Sequence, residues 1–322
     1  MTAVQTVLGP VDSAVLGRTY MHEHVFVLTP DVQHNHPEEW GQEEVRVADA
    51  VAKLTALAAQ GVRTIVDPTV IGLGRYLPRI ARIAAQVPQL NIVVATGCYT
   101  YNDVPFYFHH RGPAVFQDEP MVDLFVADLT TGNGGVVAGM LKCAIDEPGL
   151  TPGVERIMRA VAQAHHATGA PITVHTHPTT ETGPLVHRVM CLEEGVDPSR
   201  VVLGHSGDST DCDHLASLAD LGFVLGMDRF GINLATTFEA RADTLVEMVR
   251  RGYADHMVLS QDAACYIDWI DPNLMALLPQ WHYLHLADDV FPYVLDHGVD
   301  QAQLDTMLID VPRQVLAGPG GS

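Results

Sequence analysis

Residues able to bind a divalent cation recur at the ends of short apolar runs in this chain: His22 and His24, Lys142, His175, His205 and Asp262. Neutral imidazoles and carboxylates are metal ligands, and one metal centre needs ligands from distant parts of the sequence brought to the same end of a set of strands. The run Tyr20-Met21-His22-Glu23-His24-Val25-Phe26-Val27 places two imidazoles at i and i+2, which in a β-strand project from one face as a chelating pair. The runs 140–146, 172–177, 201–205 and 257–262 are short and apolar with a polar terminus, the pattern of buried parallel strands. A single histidine at a strand end is commonly structural, and among 17 histidines some coincidence is expected. His34, His36, His109, His110, His165, His166, His187 and His214 are therefore given no site role. The His22–His24 pair joined to His175, His205 and Asp262 at separate strand ends is a stronger signal, because surface histidines have no reason to favour those positions.

Lys142 adds to this. The chain has two lysines: Lys53 lies on a polar helix face, whereas Lys142 falls inside an apolar strand. An unpaired ammonium there is costly.

The elements that must position these residues follow a repeating plan. Strand-like runs end near His24, Asp67, Gly97, Lys142, His175, His205, Asp228 and Asp262, with seven intervals that average about 34 residues, the size of one βα unit. Eight such units close a (β/α)8 TIM barrel, whose active sites lie at the C-terminal ends of the strands. Between the runs are helix signals. Thr151 can cap a helix beginning at Pro152, with Val154, Ile157, Met158, Val161 and Ala162 on its buried face and Gly169 then Pro171 as its stop. Similar stripes cover 45–59 and 245–249. No linker divides the chain, so residues 1–322 read as one barrel domain with a flexible tail over 318–322.

Composition narrows the function. Hydrophobic residues make up 47% and charged residues 18%, which suits a globule with a large core. A net charge of −21 argues against nucleic-acid or anionic-membrane partners and leaves small molecules. No apolar run reaches membrane-spanning length and the start lacks a signal-peptide pattern, so the expected location is cytoplasmic. Cys98, Cys143, Cys191, Cys212 and Cys265 are odd in number and lack CxxC spacing, so neither a disulfide framework nor a thiolate zinc site is indicated.

Taken together, His22-Glu23-His24, Leu141-Lys142-Cys143-Ala144, Thr173-Val174-His175-Thr176-His177, Gly204-His205-Ser206-Gly207-Asp208 and Ser260-Gln261-Asp262 resemble the phosphotriesterase branch of the amidohydrolase superfamily. Residues 61–75 and 99–108, with Asp228-Arg229-Phe230-Gly231, resemble its phosphotriesterase-like lactonases, and the likeness covers essentially the whole chain. The resemblance implies two divalent metal ions, zinc foremost with cobalt, iron or manganese as alternatives. It further implies a Lys142 carboxylated on Nζ, which would turn a buried cation into a bridging anion. It assigns His22, His24 and Asp262 to one metal and His175 and His205 to the other, with His177 as the competitor of His175.

The implied reaction is attack of a metal-bridging hydroxide on a lactone carbonyl, with Asp262 moving the proton, Tyr99 donating a hydrogen bond and Arg229 orienting the site. The implied substrates are N-acyl-homoserine lactones and other alkyl-substituted lactones, with weak phosphotriesterase activity and a homodimeric assembly. Residues 269–281, with Leu274, Met275, Leu277 and Leu278, are expected to wall an apolar channel. Gln261 stands where the family commonly has histidine; strand alternation points it away from Asp262. The alternatives are a dedicated organophosphate hydrolase and a metal-stabilised binding protein without catalysis.

Overall fold

The computed structural model describes residues 2–113, 115, 118–178, 181–234 and 236–318. Chain order begins with a hairpin, β1 (Ala3–Thr6) and β2 (Gly9–Asp12), then β3 (Arg18–Tyr20) and β4 (His24–Val27). The remaining strands are β5 (Val62–Asp67), β6 (Asn91–Gly97), β7 (Met140–Ala144), β8 (Ile172–His175), β9 (Val201–Gly204), β10 (Val224–Met227), β11 (Met257–Leu259) and β12 (Ala264–Ile267). Eight of these form one parallel sheet in the order β3-β5-β6-β7-β8-β9-β10-β11, with helices between successive strands, as a (β/α)8 barrel requires. Val, Ile and Leu dominate the strands because both faces are buried, one against the barrel interior and one against the helices.

The helix expected at Pro152 runs Pro152–Thr168. Thr151 Oγ1 accepts from the Val154 N–H, and Gly169, at φ 72°, ends it in a left-handed turn. The stripes at 45–59 and 245–249 lie in the helices Glu43–Ala59 and Phe238–Arg250. The opening hairpin, too short and glycine-interrupted to register as a sequence pattern, closes the floor of the barrel. Val4 packs there with Val93, Met140, Val202, Val224 and Val258, beside Val311 and Val315 of the last helix. Of the tail expected over 318–322, residues 319–322 fall outside the described residues. No helix among the described residues is long and apolar enough to cross a membrane.

One expectation needs correction. The run 20–27 is not one strand: β3 stops at Tyr20, and His24 opens β4, which leaves the barrel sheet to pair with β12. The cause lies at the seam where the last strand meets the first. There the His22 N–H donates to Ser260 Oγ (2.9 Å), the Asp262 N–H to the His22 carbonyl (3.1 Å) and the His24 N–H to the Ala263 carbonyl (2.8 Å). Irregular bonds replace a regular ladder, so the pair is held by a bent segment. Lys142 lies within β7, as its apolar run predicts, with its side chain buried in the barrel.

Candidate metal centre

His175 is the last residue of β8, His205 directly follows β9 and Asp228 directly follows β10. Asp262 lies three residues beyond the end of β11. Together with His22, His24, Lys142, Tyr99 and Arg229, the residues His175, His205 and Asp262 line one cavity of about 330 Å³ at the C-terminal ends of the strands. His177, past the end of β8, does not line it.

Distances within the cavity are those of a ligand cluster. The coordinating atoms of His22, His205 and Asp262 lie within 4.8 Å of one another. Asp262 Oδ1 is 3.3 Å from His24 Nε2 and 3.5 Å from His22 Nε2. The rings of His175 and His205 have centroids 4.4 Å apart, and Lys142 Nζ is 3.1 Å from His22 Nε2. His205 (φ 71°) and Asp262 (φ 52°) are the two non-glycine residues with positive φ among the described residues. Left-handed backbone at a bulky residue costs energy and is held only where the surroundings fix it, which is typical of functional sites.

Each of the four histidines is oriented through one ring nitrogen. Asp228 Oδ2 is 3.2 Å from His22 Nδ1, and Asp228 Oδ1 is 2.9 Å from His205 Nδ1. Thr69 Oγ1 is 2.7 Å from His24 Nδ1 and itself donates to Asp67 Oδ1, while Asp146 contacts His175 Nε2. One nitrogen of each imidazole is thus occupied by an acceptor and the other is left for a metal, the arrangement that fixes tautomer and ring direction in metal sites. Gly226 makes room for the shared carboxylate, since a Cβ there would stand 2.4 Å from Asp228 Oδ2. Sequence reasoning marked Asp67 and Asp228 as strand ends but gave them no role, and it missed Asp146. An acidic residue at or just past a strand end was the available signal.

The middle residue of the His22-Glu23-His24 triplet also went unassigned. Glu23 is fully buried, and its carboxylate accepts from Ser260 Oγ and from the Gln261 and Ala263 N–H groups, each at 2.9 Å. It therefore clasps the segment on both sides of Asp262. Gln261 does turn away from Asp262 into the core, donating through Nε2 to the Tyr283 carbonyl (2.7 Å) and accepting from the Leu286 N–H (2.8 Å).

Burial sets the charge states. It pushes the Lys142 amine down to about 8 and the His175 imidazole down to about 4, and it holds His205 well below its ordinary value with help from the Arg229 charge. Neutral imidazoles are the form a metal takes. Burial also raises the Tyr99 phenol well above its usual range, so it stays a hydrogen-bond donor. Its hydroxyl contacts Tyr101, a cavity residue that the sequence analysis gave no role, and lies 3.4 Å from His175 Nδ1. Arg229 donates through Nε to Asp262 Oδ2 and through Nη1 to Asp208 Oδ2, both at 3.2 Å.

The apolar wall differs in part from expectation. Trp269, Ile270, Leu278 and Trp281 line the cavity, joined by Leu73, Ile232 and Leu234 from other loops. Leu274, Met275 and Leu277 do not: Met275 lines a neighbouring cavity with Tyr266 and Tyr283, and Leu277, past the helix Pro272–Met275, is 73% exposed.

The phosphotriesterase family model matches residues 2–316 of this chain. A Mycobacterium tuberculosis protein named phosphotriesterase homology protein is 55% identical over 100% of this chain and 99% of its own length. An aryldialkylphosphatase of Saccharolobus solfataricus is 34% identical over 95% of this chain and 97% of its own. The solved structure of the phosphotriesterase from Mycobacterium tuberculosis superposes with a TM-score of 0.95 at 55% identity, covering 98% of each chain.

Proposed function

The chain belongs to the phosphotriesterase family, and from that premise we propose that it is a metal-dependent lactonase acting on N-acyl-homoserine and other alkyl-substituted lactones, with weaker activity on phosphotriesters. The observation that carries the lactone reading is the make-up of the cavity. Its lining combines the candidate ligands, Tyr99 and Arg229 with the apolar side chains of Trp269, Ile270, Leu278 and Trp281. Such a cavity suits a planar ester with a hydrocarbon tail.

The family is one of binuclear-metal amidohydrolases, and the donor set fits two cations. His22, His24 and Asp262 would hold one, His175 and His205 the other, and a carboxylated Lys142 would stand between them. Two features support the fit. Each imidazole keeps one nitrogen for a metal, and the buried Lys142 amine has no ion-pair partner among the described residues. His and carboxylate donors accept zinc, cobalt, iron or manganese. When bound, the pair would supply an acidified water and polarise the substrate carbonyl.

The chain's own groups do the remainder. Asp262 takes the proton released by the attacking water and returns it to the leaving alkoxide oxygen. Arg229 keeps that carboxylate aimed into the cavity, and Tyr99 donates to the carbonyl oxygen as charge builds there. The product is the ring-opened hydroxy acid. A homodimer is part of the same proposal.

A second reading, a dedicated organophosphate hydrolase, draws on the aryldialkylphosphatase among the relatives. Elemental analysis of the purified protein with kcat/KM on a lactone series and on paraoxon separates the readings. Two metals per chain and faster lactone hydrolysis are expected; a kcat/KM for paraoxon above that of every lactone would replace the lactonase reading. No turnover of either class by metal-replete protein would make the chain a binding protein.

A further inference from the structure

Arg241, on the helix Phe238–Arg250 outside the barrel, is 1% exposed and among the largest fully buried side chains of the described residues. A buried guanidinium needs specific partners, and those of Arg241 converge on two segments of the candidate site. Its Nη2 donates to Asp208 Oδ1 (2.6 Å) and to the Ile232 carbonyl (3.1 Å), and its Nη1 to Asn233 Oδ1 (3.3 Å). The other oxygen of Asp208 accepts from Arg229, whose Nε reaches Asp262. Charges therefore alternate along a continuous line, Arg241–Asp208–Arg229–Asp262, from the outer helix to the cavity.

The second segment is the loop after β10. Ile232 and Leu234 of that loop line the cavity, and it is pressed against the loop after β12. Asn233 Nδ2 donates to Gln280 Oε1 (2.6 Å), and a Cβ on Gly231 would stand 2.4 Å from the Gln280 carbonyl oxygen. The next residue, Trp281, donates from Nε1 to the Asp262 carbonyl (2.8 Å). One fork-shaped cation thus joins the anion that holds Arg229 to the loop that walls the cavity.

We propose that Arg241 is a positioning residue of the candidate active site, fixing the direction of Arg229 toward Asp262 and the place of the loop that carries Ile232 and Leu234. A helix-to-barrel staple would need only nearby carbonyls. The bond to Asp208 gives Arg241 leverage on a side chain in the cavity. Without Arg241, Asp208 has Arg229 as its one guanidinium partner, and Arg229 is drawn away from Asp262.

This inference rests on the hydrolase reading for its kinetic test, so the test carries a structural readout as well. Arg241→Met, Arg241→Lys, Arg229→Met and the double variant Arg241→Met/Arg229→Met are compared at equal metal content. Loss of a group that orients a metal-site residue typically costs about 10- to 100-fold. Arg241→Met should lower kcat by that order with a smaller change in KM, and Arg241→Lys, which keeps the charge but reaches fewer acceptors, should recover part of it. In the Arg229→Met background the loss from Arg241→Met should be clearly smaller than in the wild type, since the part that passes through Arg229 is already gone and only the loop contacts remain to be lost. Independent, multiplying losses would overturn the proposal. If Arg241→Met does not fold, the cycle is run with Arg241→Lys and judged by the same rule. If the wild-type protein turns over neither lactone nor phosphotriester, the hydrolase reading fails, and crystal structures of the wild type and Arg241→Lys decide the positioning claim. An Arg229 guanidinium displaced from Asp262 supports it, and an unmoved one overturns it.

Discussion

Asp228 and His205 are joined twice: the carboxylate accepts from the His205 backbone N–H at 2.7 Å and meets its ring Nδ1 at 2.9 Å. The left-handed backbone of His205 and the direction of its imidazole therefore depend on the same oxygen. The second oxygen holds His22, so one side chain orients a candidate ligand of each proposed metal.

Asp228→Asn keeps the shape but loses an acceptor oxygen and the charge. Metal affinity or kcat/KM should fall by about 10- to 100-fold, the usual effect of removing an orienting carboxylate. Competition with a chelator measures the affinity and thermal unfolding checks the fold. Unchanged affinity and rate would show that the shared carboxylate is dispensable.

Lys142→Ala should lose both metal and activity, because no other side chain lining the cavity could replace the bridging carbamate proposed for Lys142. A short carboxylic acid added to the variant should restore part of each by filling the space. Normal metal content and rate in Lys142→Ala would reduce the lysine to a structural role.

Asp262→Asn should impair turnover more than substrate binding, by about 10²- to 10⁴-fold in kcat, since an amide cannot carry the proton. Metal content is measured on the same sample, so that loss of the ion is not mistaken for loss of the acid–base group. A rate within a few-fold of wild type at full metal occupancy would exclude Asp262 as the proton carrier.

Leu278 and Leu277 are adjacent but face differently, with Leu278 6% exposed at the cavity and Leu277 73% exposed outside it. Leu278→Ser should weaken long-chain lactones more than short ones, because each methylene buried against the wall contributes about 0.8 kcal/mol. Leu277→Ser should leave the chain-length profile unchanged. Equal losses across chain lengths for Leu278→Ser would remove this wall from the tail-binding surface.

The candidate ligands were legible because polar residues interrupt apolar runs that recur at about the length of a βα unit, and a parallel barrel turns that recurrence into a ring. What the pattern could not show was local geometry. The bend after Tyr20 depends on hydrogen bonds to Ser260 and Ala263 far along the chain, so His22 and His24 looked like a simple strand pair. Asp146 and Thr69 act on histidines elsewhere in the sequence, a relation no local window contains. The wall residues were half recovered, because which side of a short loop helix faces a cavity depends on packing; Leu278 and Leu277 differ by one position and by that orientation alone.

The seam at which the barrel closes has a consequence for how the molecule is made. The bonds that join the end of the sheet to its beginning, Ser260 to His22 and Ala263 to His24, are also the bonds that set the histidine pair beside Asp262. The pairing spans most of the chain, and contacts of such high sequence separation form late because a long loop must be closed first. A nascent chain on the ribosome therefore carries imidazoles without the carboxylate that gathers them until its last strand has emerged. Metal capture should thus accompany the final closure of the barrel, and an ion able to bind there would act as a latch on a folding step already taken.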